Sequence, residues 1–213
     1  MTREDLIETF CDDCENHPMY NKPFIQGTNL CATDGHAALI MPEADSDFLS
    51  YSHQDKPSFA DYLKAKTVPY MEFDTKTLKD AYWKLKDKVD AIDTRCPECM
   101  GRKTVEYSYW DRNRDLYTKD EECPVCEGTG ERDITDDFHK KRYQFVLDDK
   151  YSLTFHALRK ILDVAEFFNL EKVSLLCEDS TMTQPFHIVD ERFHMIVAPA
   201  LYDHNDDDED EED

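Results

Sequence analysis

Four cysteines fall into two knuckles of one spacing, Cys96-Pro97-Glu98-Cys99 and Cys123-Pro124-Val125-Cys126. Two thiolates three positions apart reach one ion with little strain, and two such turns supply the four sulfurs that Zn²⁺ prefers at tetrahedral corners. Four thiolates leave no open position for water or substrate, so one structural zinc ion is expected, folding a module rather than catalysing. Unrelated cysteines or redox dithiols are the competing readings. A third pair, Cys11 and Cys14, lies near the expected end of a helix with His17 close by. A second metal site with Cys31 or His36 is conceivable there, and cysteines on a helix face are the plainer reading. Cys177 sits in an apolar strand pattern and reads as core.

Other chemistry is sparse. The tempting pairs are His36 with Asp34, and His187 with Asp190 or His194. No nucleophile elbow, phosphate-binding glycine loop or carboxylate metal cluster accompanies them, so no enzymatic role is expected. Histidines alternating along a terminal strand read as surface or cross-strand residues.

Charge narrows the partners. The 213 residues carry a formal charge of -23, and the segment 202–213 alone holds nine acidic residues without a Lys or Arg. That segment is expected to be a disordered acidic tail. An acidic surface repels phosphates on average, so duplex DNA would need a segregated basic face. The candidate is a helix with Lys76, Lys79, Lys84, Lys86 and Lys88, opposed by Asp80 and Asp87, with Lys140, Lys141 and Arg142 as a second basic cluster. An ordinary solvated helix face is the alternative. The N-terminus lacks an apolar signal region and no stretch has the length of a membrane span, so a reducing, cytoplasmic setting without membrane contact is expected.

The elements that must carry these residues follow from periodicity. A helix is expected over 3–14, with Thr2 as cap and Asp5 in its first turn. A hairpin is expected over 23–42, its second run interrupted by Asp34-Gly35. Residues 43–68 read as irregular, anchored by Phe48, Tyr51, Phe59 and Tyr62. A short strand over 70–73 leads into a helix that Asp74 or Thr75 caps and that runs to Val89. The span 95–132 reads as an inserted zinc-ribbon-like module, with a hairpin between the knuckles. Strands are expected over 142–147 and 151–155, then a helix to Asn169, then strands over 172–178, 185–189 and 193–198, with a turn at 190–192. The class is α+β: helices packed on antiparallel sheet, in a discontinuous domain of residues 1–94 and 133–201.

Two resemblances attach to quoted residues. Cys126-Glu127-Gly128-Thr129-Gly130 continues the second knuckle as CxxCxGxG, and Gly101 holds the matching place in the first. This resembles the cysteine-rich module of DnaJ co-chaperones, with two knuckles in place of four and without a second glycine in the first. Zinc binding is what that resemblance implies. Ala32-Thr33-Asp34-Gly35-His36 resembles the ATDGHR segment of bacterial DNA polymerase sliding clamps, with Ala37 where the arginine usually follows. The stretch from Phe155 to Leu201 is similar to the last part of a clamp, ending in Phe193-His194-Met195-Ile196-Val197-Ala198-Pro199. The combination resembles a phage or mobile-element clamp-like protein. It implies a non-catalytic, replication-associated protein that binds duplex DNA or polymerase-type partners, as a homo-oligomer if it encircles DNA. A zinc-stabilised adaptor, or a phage-encoded modulator of host proteins that leaves DNA untouched, is the alternative.

Overall fold

The structure is a computed structural model that describes residues 1–11, 21–42, 59–134, 143–178 and 185–201. The chain forms two compact units, Met1–Lys86 with Gln144–Asp213, and Asp87–Tyr143.

The larger unit opens with helix α1 (Arg3–Glu8). A reciprocal cap starts it: the Asp5 N–H donates to Thr2 Oγ1 at 3.1 Å, and the Thr2 N–H donates to the Asp5 carboxylate at 2.7 Å. The helix is shorter than the pattern over 3–14 predicts. It ends at Glu8, and positions 12–20, with Cys14 and His17, lie outside the described residues. Leu6, Ile7 and Phe10 are fully buried.

Strands β1 (Phe24–Gln26), β2 (Asn29–Thr33) and β3 (Ala37–Pro42) form two successive antiparallel hairpins, where one was expected. Asp34-Gly35 makes a complete turn, with Gly35 at φ 89°, so the second apolar run splits into two strands. The segment read as irregular contains a short helix, α2 (Ala60–Lys64), preceded by buried Phe59. Phe48 and Tyr51 fall outside the described residues.

β4 (Thr67–Asp74) begins three residues before the expected strand. Its register shifts between Pro69 and Met71. A proline cannot donate to a ladder, and it is tolerated because β4 is an edge strand. Helix α3 (Thr75–Asp90) buries Leu78 and Leu85. The Thr75 hydroxyl donates to the Leu170 carbonyl at 2.6 Å.

The C-terminal half matches its pattern within a residue or two. It contains β7 (Gln144–Val146), β8 (Tyr151–Thr154), α4 (Phe155–Phe167), β9 (Lys172–Glu178), β10 (Phe186–Asp190) and β11 (Phe193–Val197), followed by a short β12 (Ala200–Leu201) that periodicity did not indicate. α4 is capped by Thr154, whose hydroxyl accepts from the Ala157 N–H at 3.2 Å. It ends on Asn169 at φ 53°, with the Leu170 N–H returning to the Ala165 carbonyl at 2.8 Å.

One seven-stranded antiparallel sheet runs β1-β2-β3-β11-β10-β9-β4, beside a three-stranded sheet β12-β8-β7. The middle of the large sheet is covered on both faces, which is why β3 reads as a continuous apolar run instead of alternating. Phe24, Cys31, Ala38, Ile40, Phe59 and Ile196 pack together as one cluster. α1 packs against α4 and β2. Cys177, expected in the core, is half-buried in β9.

In the smaller unit, β5 (Thr104–Trp110) and β6 (Leu116–Glu122) form the hairpin expected between the knuckles. The Asp111 carboxylate closes its tip by accepting the N–H groups of Asn113 and Asp115, both at 2.8 Å. Among the described residues, no helix is long and apolar enough to cross a membrane.

Candidate metal centre and apolar cavity

All four knuckle cysteines are buried, and their sulfur atoms lie within 4.8 Å of one another. Cys96 Sγ is 3.8 Å from Cys123 Sγ, and Cys99 Sγ is 3.8 Å from Cys126 Sγ. A tetrahedron with metal–sulfur bonds of about 2.3 Å has edges of about 3.8 Å, so the spacing fits one ion held by four thiolates. It is too long for an S–S bond of about 2.0 Å.

The two knuckles share one backbone course. Met100 and Glu127, each just after a knuckle's second cysteine, have φ 51°, and the glycines that follow, Gly101 and Gly128, have φ 81° and 75°. Two residues further on, Gly130 at φ 82° is matched by Lys103 at φ 71°. The position without a glycine in the first knuckle therefore keeps the left-handed conformation, at the cost an L-residue incurs there. Gly130 supplies the N–H that reaches sulfur, donating to Cys126 Sγ at 3.2 Å, while Gly128 donates to the Cys123 carbonyl at 3.3 Å. A Cβ on Gly130 would stand 2.9 Å from the Gly101 carbonyl oxygen. Burial pushes the Cys123 thiol up to about 11. For Cys126, the Gly130 N–H and the neighbouring thiols outweigh burial and hold it down to about 7.

A second feature lies in the larger unit. Thr33, Gly35, His36, Ala38, Phe59, Tyr62, Tyr151, Ile196, Ala198 and Pro199 are among the walls of a cavity of about 400 Å³. Its rim is a locked turn. The Thr33 hydroxyl donates to the Ala37 carbonyl at 2.7 Å and accepts the Gly35 N–H at 3.0 Å. The Asp34 carboxylate accepts the N–H groups of His36 at 2.9 Å and Ala37 at 2.7 Å, and it pairs with Lys160 of α4. Extending the β3–β11 ladder past Ala37 and Val197, the Ala198 N–H donates to the His36 carbonyl at 2.8 Å, and both residues belong to the cavity wall.

Of the candidate histidine pairs, the structure brings together His187 and His194, while Asp34 and Asp190 are engaged elsewhere. The Asp34 carboxylate meets the His36 backbone and pairs with Lys160, so Asp34 and His36 form a turn and no acid–base dyad. Asp190 is bound to Arg192. His187 is fully buried, and its Nδ1 lies 2.8 Å from His194 Nε2 across two strands, with Glu178 3.5 Å from its Nε2. In the sheet register His187 continues a row through Ile196, Ala38 and Thr33. Sequence spacing paired these histidines but did not reveal that His187 is fully buried.

The α3 lysines stand among acids. Lys79 pairs with Glu166 at 2.5 Å, Asp80 follows Lys76 by one turn, and Asp87 follows Lys84 by three positions. Lys140, Lys141 and Arg142 lie outside the described residues.

No family model and no curated protein matches the chain. Among solved structures, the chain is similar to the beta subunit of DNA polymerase III from Thermotoga maritima, at 11% identity and TM-score 0.44, over 93% of this chain and 61% of that one. It is also similar to a Helicobacter pylori beta clamp bound to a DNA ligase peptide, at 8% identity and TM-score 0.47, over 92% and 61%. For a sliding clamp from Pseudomonas aeruginosa the values are 12% and 0.42, over 92% and 63%. The chain spans less than two thirds of the length of these clamps.

Proposed function

We propose that this chain is a non-catalytic, clamp-like protein of DNA replication. In this reading its larger unit docks a short segment of a replication protein in the cavity, and residues 95–132 are folded around one structural zinc ion on Cys96, Cys99, Cys123 and Cys126. A single observation supports the docking reading. The two segments that resemble sliding clamps, Ala32–His36 and Phe193–Pro199, lie far apart in sequence yet meet at one cavity, joined by the Ala198-to-His36 hydrogen bond of 2.8 Å. A largely apolar hollow with a few polar groups at its rim suits an apolar side chain delivered by an extended peptide. For the metal, closed four-sulfur ligation supports a structural role, and cytosolic thiols favour zinc.

Duplex DNA is the second partner in this reading, through Lys76, Lys79, Lys84, Lys86 and Lys88 with Lys140, Lys141 and Arg142, and a homo-oligomer would be needed to encircle it. The interleaved Asp80 and Asp87 and the Lys79–Glu166 pair favour the adaptor alternative, in which a protein is bound and DNA is not.

The test uses a fluorescent DNA ligase peptide of the kind held by the Helicobacter pylori clamp. Saturable binding that Ala198→Trp abolishes supports the docking reading; no binding at millimolar peptide sinks it. A salt-titrated duplex-binding assay decides the DNA arm, since phosphate contacts weaken steeply with salt. Metal analysis that finds no zinc in the purified protein removes the structural-zinc reading.

A further inference from the structure

The hairpin of the smaller unit has almost no core to serve. Every residue of β5 and β6 is exposed except Val105, which packs on the cysteine cluster. Yet its outer half carries Tyr109, Trp110, Leu116 and Tyr117, with Trp110 68% and Tyr109 57% exposed. A free two-stranded hairpin is marginal in water, and cross-strand aromatic pairs left in solvent add only weakly to its stability. Tyr and Trp are the residues that anchor protein contacts, because they offer wide, stiff surface at small entropic cost.

The cross-strand register sorts the hairpin into two unlike faces. On one, Tyr109 stacks on Tyr117 with centroids 5.6 Å apart, and Lys119 pairs with Glu121, so this face is aromatic and neutralised. On the other, Trp110 faces Leu116, Glu106 faces Asp120, and Glu122 faces Thr104. No Lys or Arg belongs to that second face, and none of its three carboxylates forms an ion pair with a described residue. Glu106 and Asp120 are directly opposite neighbours, a placement that opposes strand pairing unless a cation intervenes.

We propose that this second face docks a basic, arginine-bearing segment of another protein, with guanidinium groups between Glu106 and Asp120 and on Glu122, and one stacked on Trp110. The chemistry selects this occupant. Nucleic acid would set phosphates against three carboxylates. A second copy placed face to face would oppose the same charges by symmetry. The chain's own 202–213 segment is acidic as well. Arginine meets both features of the face, since it binds carboxylates in a fork and stacks on indole. This inference stands apart from the cavity and from any peptide bound there.

The experiment titrates hexa-arginine into the full-length, metal-loaded chain by calorimetry, with the Trp110 indole signal followed by NMR. Hexa-glutamate is the negative control. The expected result is a shifted Trp110 indole, binding weakened at least tenfold by combined Glu106→Gln, Asp120→Gln and Glu122→Gln, and a smaller loss with Trp110→Ala. Neutralising Glu4, Glu8 and Glu171 in the larger unit should change the affinity less than twofold. Metal content and melting temperature confirm that each variant is folded; a triple variant that fails to fold is replaced by the single Glu106→Gln and Asp120→Gln proteins. Equal weakening by the two triple sets, or an indole signal that does not move, overturns the proposal.

Discussion

Lys160 of α4 carries its ammonium onto the Asp34 carboxylate, 126 residues away in the chain, and lies 5.1 Å above the Phe10 ring. The pair is mostly buried, with 12% and 20% of the two side chains exposed. It ties the turn at the cavity rim to the helix behind it. Burial opposes the Asp34 charge, but the Lys160 contact and the two backbone N–H groups outweigh it and hold the carboxyl below its ordinary range.

Replacing Lys160 with Met keeps the apolar stem and removes the charge, leaving Asp34 without its cation. A loss of about 1–3 kcal/mol is expected in urea denaturation at neutral pH. Because Asp34 has a lowered folded pKa, its contribution is complete above the unfolded value of about 4 and fades as pH falls through the folded one. The acid limb of the stability curve should therefore flatten in Lys160→Met. Asp34→Asn should be milder than Asp34→Ala, since an amide oxygen still accepts from His36 and Ala37.

The paired histidines lose stability toward acid as Asp34 does, although they are held neutral where Asp34 is held charged. Burial first, then His187, holds His194 down to about 4, and burial lowers His187 against the pull of Glu178. Tyr62 packs beside His187, with ring centroids 6.3 Å apart. Both groups fold neutral, so the native state binds fewer protons than the unfolded chain below pH of about 6.5. Stability should decline as pH drops from there toward 4, and His194→Gln should reduce that slope in melts taken every half unit. An unchanged slope would show that the imidazoles are solvated.

Glycine at the knuckles gives a two-sided prediction. Gly130→Ala forces a Cβ against the Gly101 carbonyl at 2.9 Å and a left-handed φ, so metal affinity and melting temperature should both fall. Lys103→Gly relieves the same conformation in the other knuckle and should stabilise the smaller unit by about 1 kcal/mol. Competition with a chromophoric zinc chelator reads both. A Lys103→Gly protein weaker than the parent would mean that the Lys103 stem, packed near Gly130, matters more than its backbone.

Removing the metal should unfold the hairpin, because metal affinity on the order of 10 kcal/mol is folding energy in modules of this type. Chelation or Cys123→Ser is expected to collapse the Tyr109–Tyr117 ring-current shifts, while the α4 signals persist. Loss of both sets together would mean that the larger unit depends on the ion too.

The cysteine centre was legible because its ligands are local pairs whose spacing states the chemistry. Helix α4 was legible because it buries one clear stripe, and strands β9 to β11 because they read as short apolar runs of strand length bounded by polar turns. The misses each have their own physical cause. Pro69 made the start of β4 look like loop, and only its place at the sheet edge allows it to be strand. α2 buries none of its own residues, so it leaves no periodic trace. Lys103 hides a left-handed turn behind a residue type that does not advertise one. The cavity could not be read at all, since its walls come from segments that only the sheet order β3-β11-β10 brings together.

One backbone detail sets how the knuckle segment joins the chain. Arg95 and Glu131 form an antiparallel bridge, and the Arg132 N–H donates to the Thr94 carbonyl at 2.9 Å. Strand in and strand out thus cross a single doorway one residue pair wide. A polypeptide cut back between Thr94 and Arg132 would therefore lose the metal centre and the hairpin together, since both lie inside this one closure.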